Sequence, residues 1–336
     1  MLGRTLIAAA AALAISAGQA LAASGYSTVF SFGDRLSDVG NVFLATGNAE
    51  PASPYANGQF SNGPVWVQDL AAKLGLPPLT PSLAGGTDYA FGGATTGFPA
   101  TNNPLVPNFV DQVAAFTSDY GGVAPSTALY TLSIGANDLF GLLQTGAGFT
   151  AAAQAAAAAA ASVTASALGV LESEGARKLV LFDVPDLGKT PFVQDLVSPT
   201  PPFDTVVGDA GDLSAFFDQQ LLLDLGHDAP KLKVFDLNAY ALIDSVVADP
   251  GAYGFSNATD PCYLGPLTGG GAACSDPSSY LFWDHVHPTE HGHSILADVA
   301  YGLAVPEPSS WAMMLLGFVG LGAFGARRTR LLASAA

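Results

Sequence analysis

Short apolar runs alternate with longer stretches of helical period between residues 26 and 303, an order that predicts a parallel sheet covered by helices on both faces. Residues 26–32 alternate polar and apolar positions and end at Gly33, which marks a first strand. Pro64 opens a helix that runs through Leu74 with Val65, Trp66, Leu70 and Leu74 on one face. Residues 128–134 predict another strand, and the Ala-rich stretch 151–174 predicts a long helix stopped by Gly175. A strand over 178–183 leads into the turn 184–188, followed by a helix over 214–225 and a short late strand over 233–236. The Pro/Gly/Asn-rich segments 46–64 and 95–108 read as long loops over one end of the sheet. Neither an internal repeat nor a linker interrupts the pattern, so residues 23–304 are expected to form one α/β domain.

Both ends depart from this pattern. Arg4, the apolar residues 6–16 and Ala20-Leu21-Ala22 supply the three regions of a signal peptide, which assigns residues 1–22 to export. Near the other end, Val305-Pro306-Glu307-Pro308 precedes an apolar, Gly-rich run over 311–324, followed by Arg327, Arg328 and Arg330. That run is short for a spanning helix, although its basic flank would stay cytoplasmic and hold the tail at the membrane transiently during export; a simple membrane anchor is the alternative.

Composition narrows the function classes. Hydrophobic residues make up 49% of the 336 and charged residues 12%, which excludes a disordered chain. A formal net charge of −17 excludes nucleic acid as a partner, because phosphate binding needs a basic face. It fits a self-repelling, soluble surface, with a cation-binding role left open. In an oxidising compartment the only two cysteines, Cys262 and Cys274, can pair across the Gly-rich loop between them. Such a bridge contributes on the order of 3 kcal/mol in the chain-entropy account; two free thiols are the alternative.

Four short motifs carry candidate chemistry. Gly33-Asp34-Arg35-Leu36-Ser37-Asp38 follows the first strand, and ligands of open α/β sheets bind at such strand ends. Asp88-Tyr89-Ala90-Phe91-Gly92-Gly93 has paired glycines that let backbone N–H groups approach a ligand. Gly135-Ala136-Asn137-Asp138 lies at another strand end. In Asp284-His285-Val286-His287-Pro288, three residues separate a carboxylate from an imidazole, so one turn can bring them together. Each motif alone has a plain reading as a turn, a tight loop, a helix cap or a structural histidine.

In this order and spacing the four resemble the sequence blocks of the SGNH/GDSL hydrolases, over roughly residues 26 to 303. Residues 57–67 resemble the esterase/lipase branch of that family, and the C-terminal segment 305–330 resembles a PEP-CTERM sorting signal. The absence of a G-x-S-x-G elbow disfavours the larger α/β-hydrolase family. The resemblance implies a three-layer, flavodoxin-like fold and a Ser-His-Asp acyl-transfer site that needs no cofactor and no metal. It implies His287 as general base and Asp284 as the group that orients it. Asp34 would brace the turn. The backbone N–H of residue 35, the backbone N–H of Gly93 and the side-chain amide of Asn137 would form an oxyanion hole. The partners implied are an ester substrate or an acylated glycan, a signal peptidase and an exosortase-type enzyme. Export to the exterior or cell surface of a Gram-negative bacterium is implied as well.

One position breaks the pattern. Where the family has its nucleophilic serine, this chain has Arg35, whose guanidinium stays protonated and offers no lone pair to a carbonyl carbon. Ser37 is a poor substitute, because two residues into a helix start its side chain turns away from the sheet end. Arg35 is expected to crowd the oxyanion hole and to compete with His287 for Asp284. Three functions follow: an ester hydrolase disabled at its nucleophile, a surface protein binding acidic or acylated exopolysaccharide through Arg35, and a metal site formed by His285, His287, His291 and His293 with Asp284.

Overall fold

The computed structural model describes residues 25–98, 105–199 and 201–305. Residues 1–22, the sorting tail beyond Val305 and part of the loop 95–108 lie outside them. Strands β1 (Val29–Gly33), β2 (Leu129–Ser133), β3 (Lys178–Phe182) and β4 (Lys233–Leu237) form a parallel sheet in that order. Gly33 pairs with Ser133, Ser133 with Phe182, and Phe182 with Leu237, so the four strands end level with one another. β1 and β2 are buried along their whole length, as strands covered on both faces must be.

An extended segment over 87–91 lies along the outer side of β1. Ser31 N–H donates to the Thr87 carbonyl at 3.1 Å, Tyr89 N–H to the Ser31 carbonyl at 2.7 Å, and Phe91 N–H to the Gly33 carbonyl at 3.0 Å. Counting this segment, the chain crosses the sheet in the order 2-1-3-4-5, the doubly wound order of flavodoxin-like folds. The order reverses beside β1, which opens a crevice at the carboxyl ends of β1 and β2.

Helices α1 (Asn41–Ala45), α2 (Trp66–Lys73), α3 (Phe109–Asp119), α4 (Ala136–Gln144), α5 (Ala151–Glu174), α6 (Pro191–Asp195), α7 (Val206–Asp228), α8 (Ala239–Ala248) and α9 (Glu290–Ala304) surround the sheet. Phe30, Phe32, Tyr130, Leu132, Leu179 and Leu181 alternate along the strands and join one core with Phe116 of α3, Ala157 and Leu168 of α5, and Phe217 of α7. The opposite face carries α2, whose Trp66 ring lies 5.7 Å from Phe182. α9 packs beside α2: Trp66 N–H donates to His293 Nδ1 at 3.3 Å, and Lys73 pairs with Asp298 at 2.6 Å. α5 is long and apolar enough to cross a membrane, yet here Ala153, Ala157, Ala161 and Leu168 are buried in the domain core.

The predicted strands and the helices over 64–74 and 151–174 all form, with β1 starting at Val29 and α2 at Trp66. α7 begins at Val206 rather than near 214, because the Gly and Asp residues that weaken its apolar period are carried by packing on α5. Helices α3, α4, α8 and α9 were not evident from periodicity. α4 begins inside the Asn137 motif and α9 just after the His287 motif, and the polar residues there mask the helical pattern. Ahead of Glu290, a second small sheet, β5 (Asn257–Pro261) with β6 (Tyr280–Phe282), completes the set by delivering the Asp284 loop.

Candidate active site

β1 ends at Gly33, where φ is 129° and an added Cβ would lie 2.0 Å from the Ser133 carbonyl oxygen; only glycine lets the chain leave the sheet so close to β2. Gln112 of α3 holds this exit, accepting from Gly33 N–H and donating to the Gly33 carbonyl, both at 2.8 Å. Asp34 closes the turn that follows: its Oδ1 accepts Leu36 N–H at 3.1 Å, and its carbonyl accepts the N–H groups of Ser37 and Asp38 at 3.1 and 3.0 Å. Burial pushes the Asp34 carboxyl up to about 6, against the Leu36 hydrogen bond and the charges of Arg35 and His287. Asp38 is buried deeper in the same loop and accepts from Gly40, Asn41, Val42 and Gly92 N–H, which ties the first motif to the glycine pair.

Arg35 is half-buried at the sheet end. Its Nη1 lies 3.5 Å from Asn137 Oδ1, its Cζ sits 5.3 Å from the Phe60 ring centre, and its Nε is buried without a hydrogen bond. A Cβ added at Gly93 would meet Arg35 Nη2 at 3.4 Å. The guanidinium therefore lies between Gly93 and Asn137. The Asn137 amide is turned away, donating to the Ala94 carbonyl at 2.8 Å and to Asp34 Oδ2 at 3.3 Å. Among the described residues Arg35 makes no ion pair. The expected competition for Asp284 does not arise, because the arginine is held over Phe60 and toward Asn137 while the Asp284 oxygens are already engaged.

Asp284 and His287 meet as their spacing allows. His287 Nδ1 lies 2.7 Å from Asp284 Oδ2, and Asp284 Oδ1 accepts the backbone N–H groups of Val286 and His287 at 2.9 and 2.8 Å. Tyr55 donates its hydroxyl to the same Oδ2 at 2.7 Å. Burial by itself would raise the Asp284 carboxyl, but the His287 charge and these hydrogen bonds outweigh it and hold the group well below the ordinary carboxylate range. Tyr55 packs edge-on against Tyr263 and Trp283, which stack on each other with ring centres 5.5 Å apart. The disulfide Cys262–Cys274 fixes the loop carrying Tyr263, whose N–H donates to the Trp283 carbonyl at 2.6 Å. The bridge thus braces the segment next to Asp284.

Arg35, Asn137, Asp34 and His287 line a cavity of about 90 Å³ at the carboxyl ends of the strands. Ser37 does not reach it: the side chain is buried and accepts from Trp66 Nε1–H at 3.2 Å. The helix expected at Ser37 starts only at Asn41, and a tight turn directs Ser37 inward instead. The histidines likewise fail to converge. His285 pairs with Asp195, His291 with the Ser278 carbonyl, and His293 with Trp66 N–H, while burial drives the His293 imidazole down to about 3. No metal-binding cluster occurs among the described residues, so the metal-site reading is corrected: one turn and one helix aim these side chains in different directions.

Sequence reasoning missed Tyr55, Phe60 and Gln112. Tyr55 and Asp284 are 229 positions apart, and no local pattern links them. Phe60 could have been found, since it lies within residues 57–67, but that stretch carries no charge to draw notice.

Residues 29–300 match a family described as GDSL-like lipase/acylhydrolase, and residues 304–330 match the PEP-CTERM protein-sorting motif. Among curated relatives, an uncharacterized protein from the trpE-trpG intergenic region of Pseudomonas putida is 32% identical, over 91% of this chain and 53% of its own length. The esterase EstA of Pseudomonas aeruginosa is 30% identical over 93% of this chain and 52% of its own. A GDSL esterase/lipase of Arabidopsis thaliana is 28% identical, over 83% of this chain and 88% of its own. The chain thus spans about half the length of the two Pseudomonas relatives.

Proposed function

Because this chain belongs to the GDSL-like lipase/acylhydrolase family, we propose that it is an ester-hydrolase framework with its base and orienting acid assembled and its nucleophile lost to Arg35. The observation that carries this reading is the buried Asp284–His287 contact at 2.7 Å, reinforced by Tyr55 on the same oxygen, beside an arginine at the strand end. With a serine at position 35, the hydroxyl would attack the ester carbonyl and pass its proton to His287 Nε2. Asp284 would hold the other ring nitrogen and stabilise the imidazolium. The negative charge on the carbonyl oxygen would meet the N–H of residue 35, the N–H of Gly93 and the Asn137 amide.

The Arg35 side chain leaves neither a nucleophile nor an open hole. Loss of a nucleophilic serine costs about a millionfold in turnover in comparable hydrolases. The unaltered chain is therefore expected to hydrolyse a short-chain nitrophenyl ester barely above background. Arg35→Ser should raise turnover by orders of magnitude, and adding His287→Ala should return it to background. A folded Arg35→Ser protein with no gain would overturn the proposal.

Binding without turnover is the second reading, favoured by the half-buried Arg35 with no anionic partner among the described residues. The PEP-CTERM motif indicates export and surface association in a Gram-negative bacterium. We assign residues 1–22 to a cleaved signal peptide and the tail to exosortase-type processing. The substrate in the hydrolase reading is an ester or an acylated glycan met outside the cell.

A further inference from the structure

We propose that the unaltered chain binds aliphatic carboxylates, with the carboxylate on Arg35 and the hydrocarbon chain in the adjoining cavity. This rests on the reading of Arg35 as a side chain standing at a lost nucleophile position, and it commits the second reading above to one ligand class. The cavity beyond Arg35 is walled by Phe140 of α4, Leu242, Ile243 and Val246 of α8, and Ile295 of α9. Such a wall offers nothing to the hydroxyls of a sugar, which would be buried without partners. It accepts methylene groups at a gain for each.

The head of the cavity carries a guanidinium with no ion-pair partner among the described residues. Arg35 is the one permanently charged base among its lining residues. The lining carboxylate, Asp34, is already engaged by Leu36 N–H and the Asn137 amide and forms no ion pair with Arg35. Arg35 Nε is buried and bonded to nothing, and Nη1 reaches only Asn137 Oδ1 at 3.5 Å. A half-buried guanidinium with donors to spare is completed by an anion, and a carboxylate matches its fork with two parallel hydrogen bonds. Phe60 supports the guanidinium from one side, which keeps it at the cavity mouth. An aliphatic tail with a carboxylate head satisfies both parts of the site at once.

Isothermal titration of the full-length protein with butyrate, hexanoate and octanoate tests the tail, and octan-1-ol tests the head. Affinity should rise about fourfold for each methylene that enters the cavity, and octanoate should bind at least tenfold tighter than octan-1-ol. Arg35→Gln should reduce octanoate to the level of the alcohol, and Ile243→Trp, which fills the cavity, should weaken octanoate at least tenfold. Equal affinity for butyrate and octanoate, or for octanoate and the alcohol, would overturn the proposal on the unaltered chain, whatever the variants do. Arg35→Ser turnover without octanoate binding by the parent would retain the hydrolase reading and remove this one. Octanoate binding without turnover by Arg35→Ser would do the reverse.

Discussion

Asp183 follows β3 and accepts the N–H groups of Ala239 and Tyr240 at the start of α8. Burial, followed by repulsion from Asp236, raises its carboxyl to about 7, against the pull of those two hydrogen bonds. In the unfolded chain the group titrates near 3.8. The folded state therefore binds more protons between about pH 4 and pH 7, and stability must rise as pH falls through that window and be lost as pH climbs through 7. Asp34, Asp38 and Asp138, each raised to about 6 by burial, act in the same sense at lower pH, whereas the lowered His293 opposes them. The thermal midpoint should be higher at pH 6 than at pH 8. Asp183→Asn keeps an oxygen for both N–H groups and removes the buried charge, so it should flatten the part of that slope above pH 6. An unchanged slope in the variant would show that Asp183 is not its source.

Among the elements, the β1–α3 contact matters most for the site. Gln112 is buried on α3 and satisfies both the N–H and the carbonyl of Gly33, the residue from which the Asp34–Arg35 turn departs. Gln112→Ala would orphan the buried Gly33 N–H, while the Gly33 carbonyl keeps the Phe91 N–H, so the loss is that of one buried donor, about 1–3 kcal/mol. The urea midpoint should fall by an amount equivalent to roughly 1–3 kcal/mol, and an unchanged midpoint would mean that water or a neighbour replaces the amide. This bracing was not legible in the sequence. Gln112 sits in a helix that was itself hidden behind the Pro- and Asn-rich residues 95–108, and a glutamine on a helix has no pattern that names its partner. The strand ends themselves were legible, because apolar runs stopped by glycine carry their own punctuation.

At the scale of the molecule, the acidic body and the two terminal segments belong to an exported protein. Mass analysis of protein recovered from outside the cell should give an N-terminus near Ala23 and no residues beyond about 305, with Cys262 and Cys274 linked before reduction. A mass that retains Met1 would contradict the assignment of the leader. The same mature body holds the crevice between β1 and β2, which exists only because the segment 87–91 adds to the outer edge of β1 and reverses the strand order there. That pairing is short and Gly-flanked, so nothing in its composition announces a strand.

The sequence by itself determined four strand segments in chain order, a parallel sheet covered by helices, the Asp284–His287 spacing and an arginine at the end of the first strand. These depend on local period, on turn residues and on the identity of single side chains. Tertiary structure alone decided where Arg35 points, that Tyr55 joins Asp284, that Ser37 is turned inward to Trp66, and that the four histidines stay apart. It also decided that an apolar cavity opens beside the arginine, with walls drawn from α4, α8 and α9. Such contacts are set by the packing of elements far apart in the chain, where many pairings satisfy the same local pattern and only burial of the whole core selects among them.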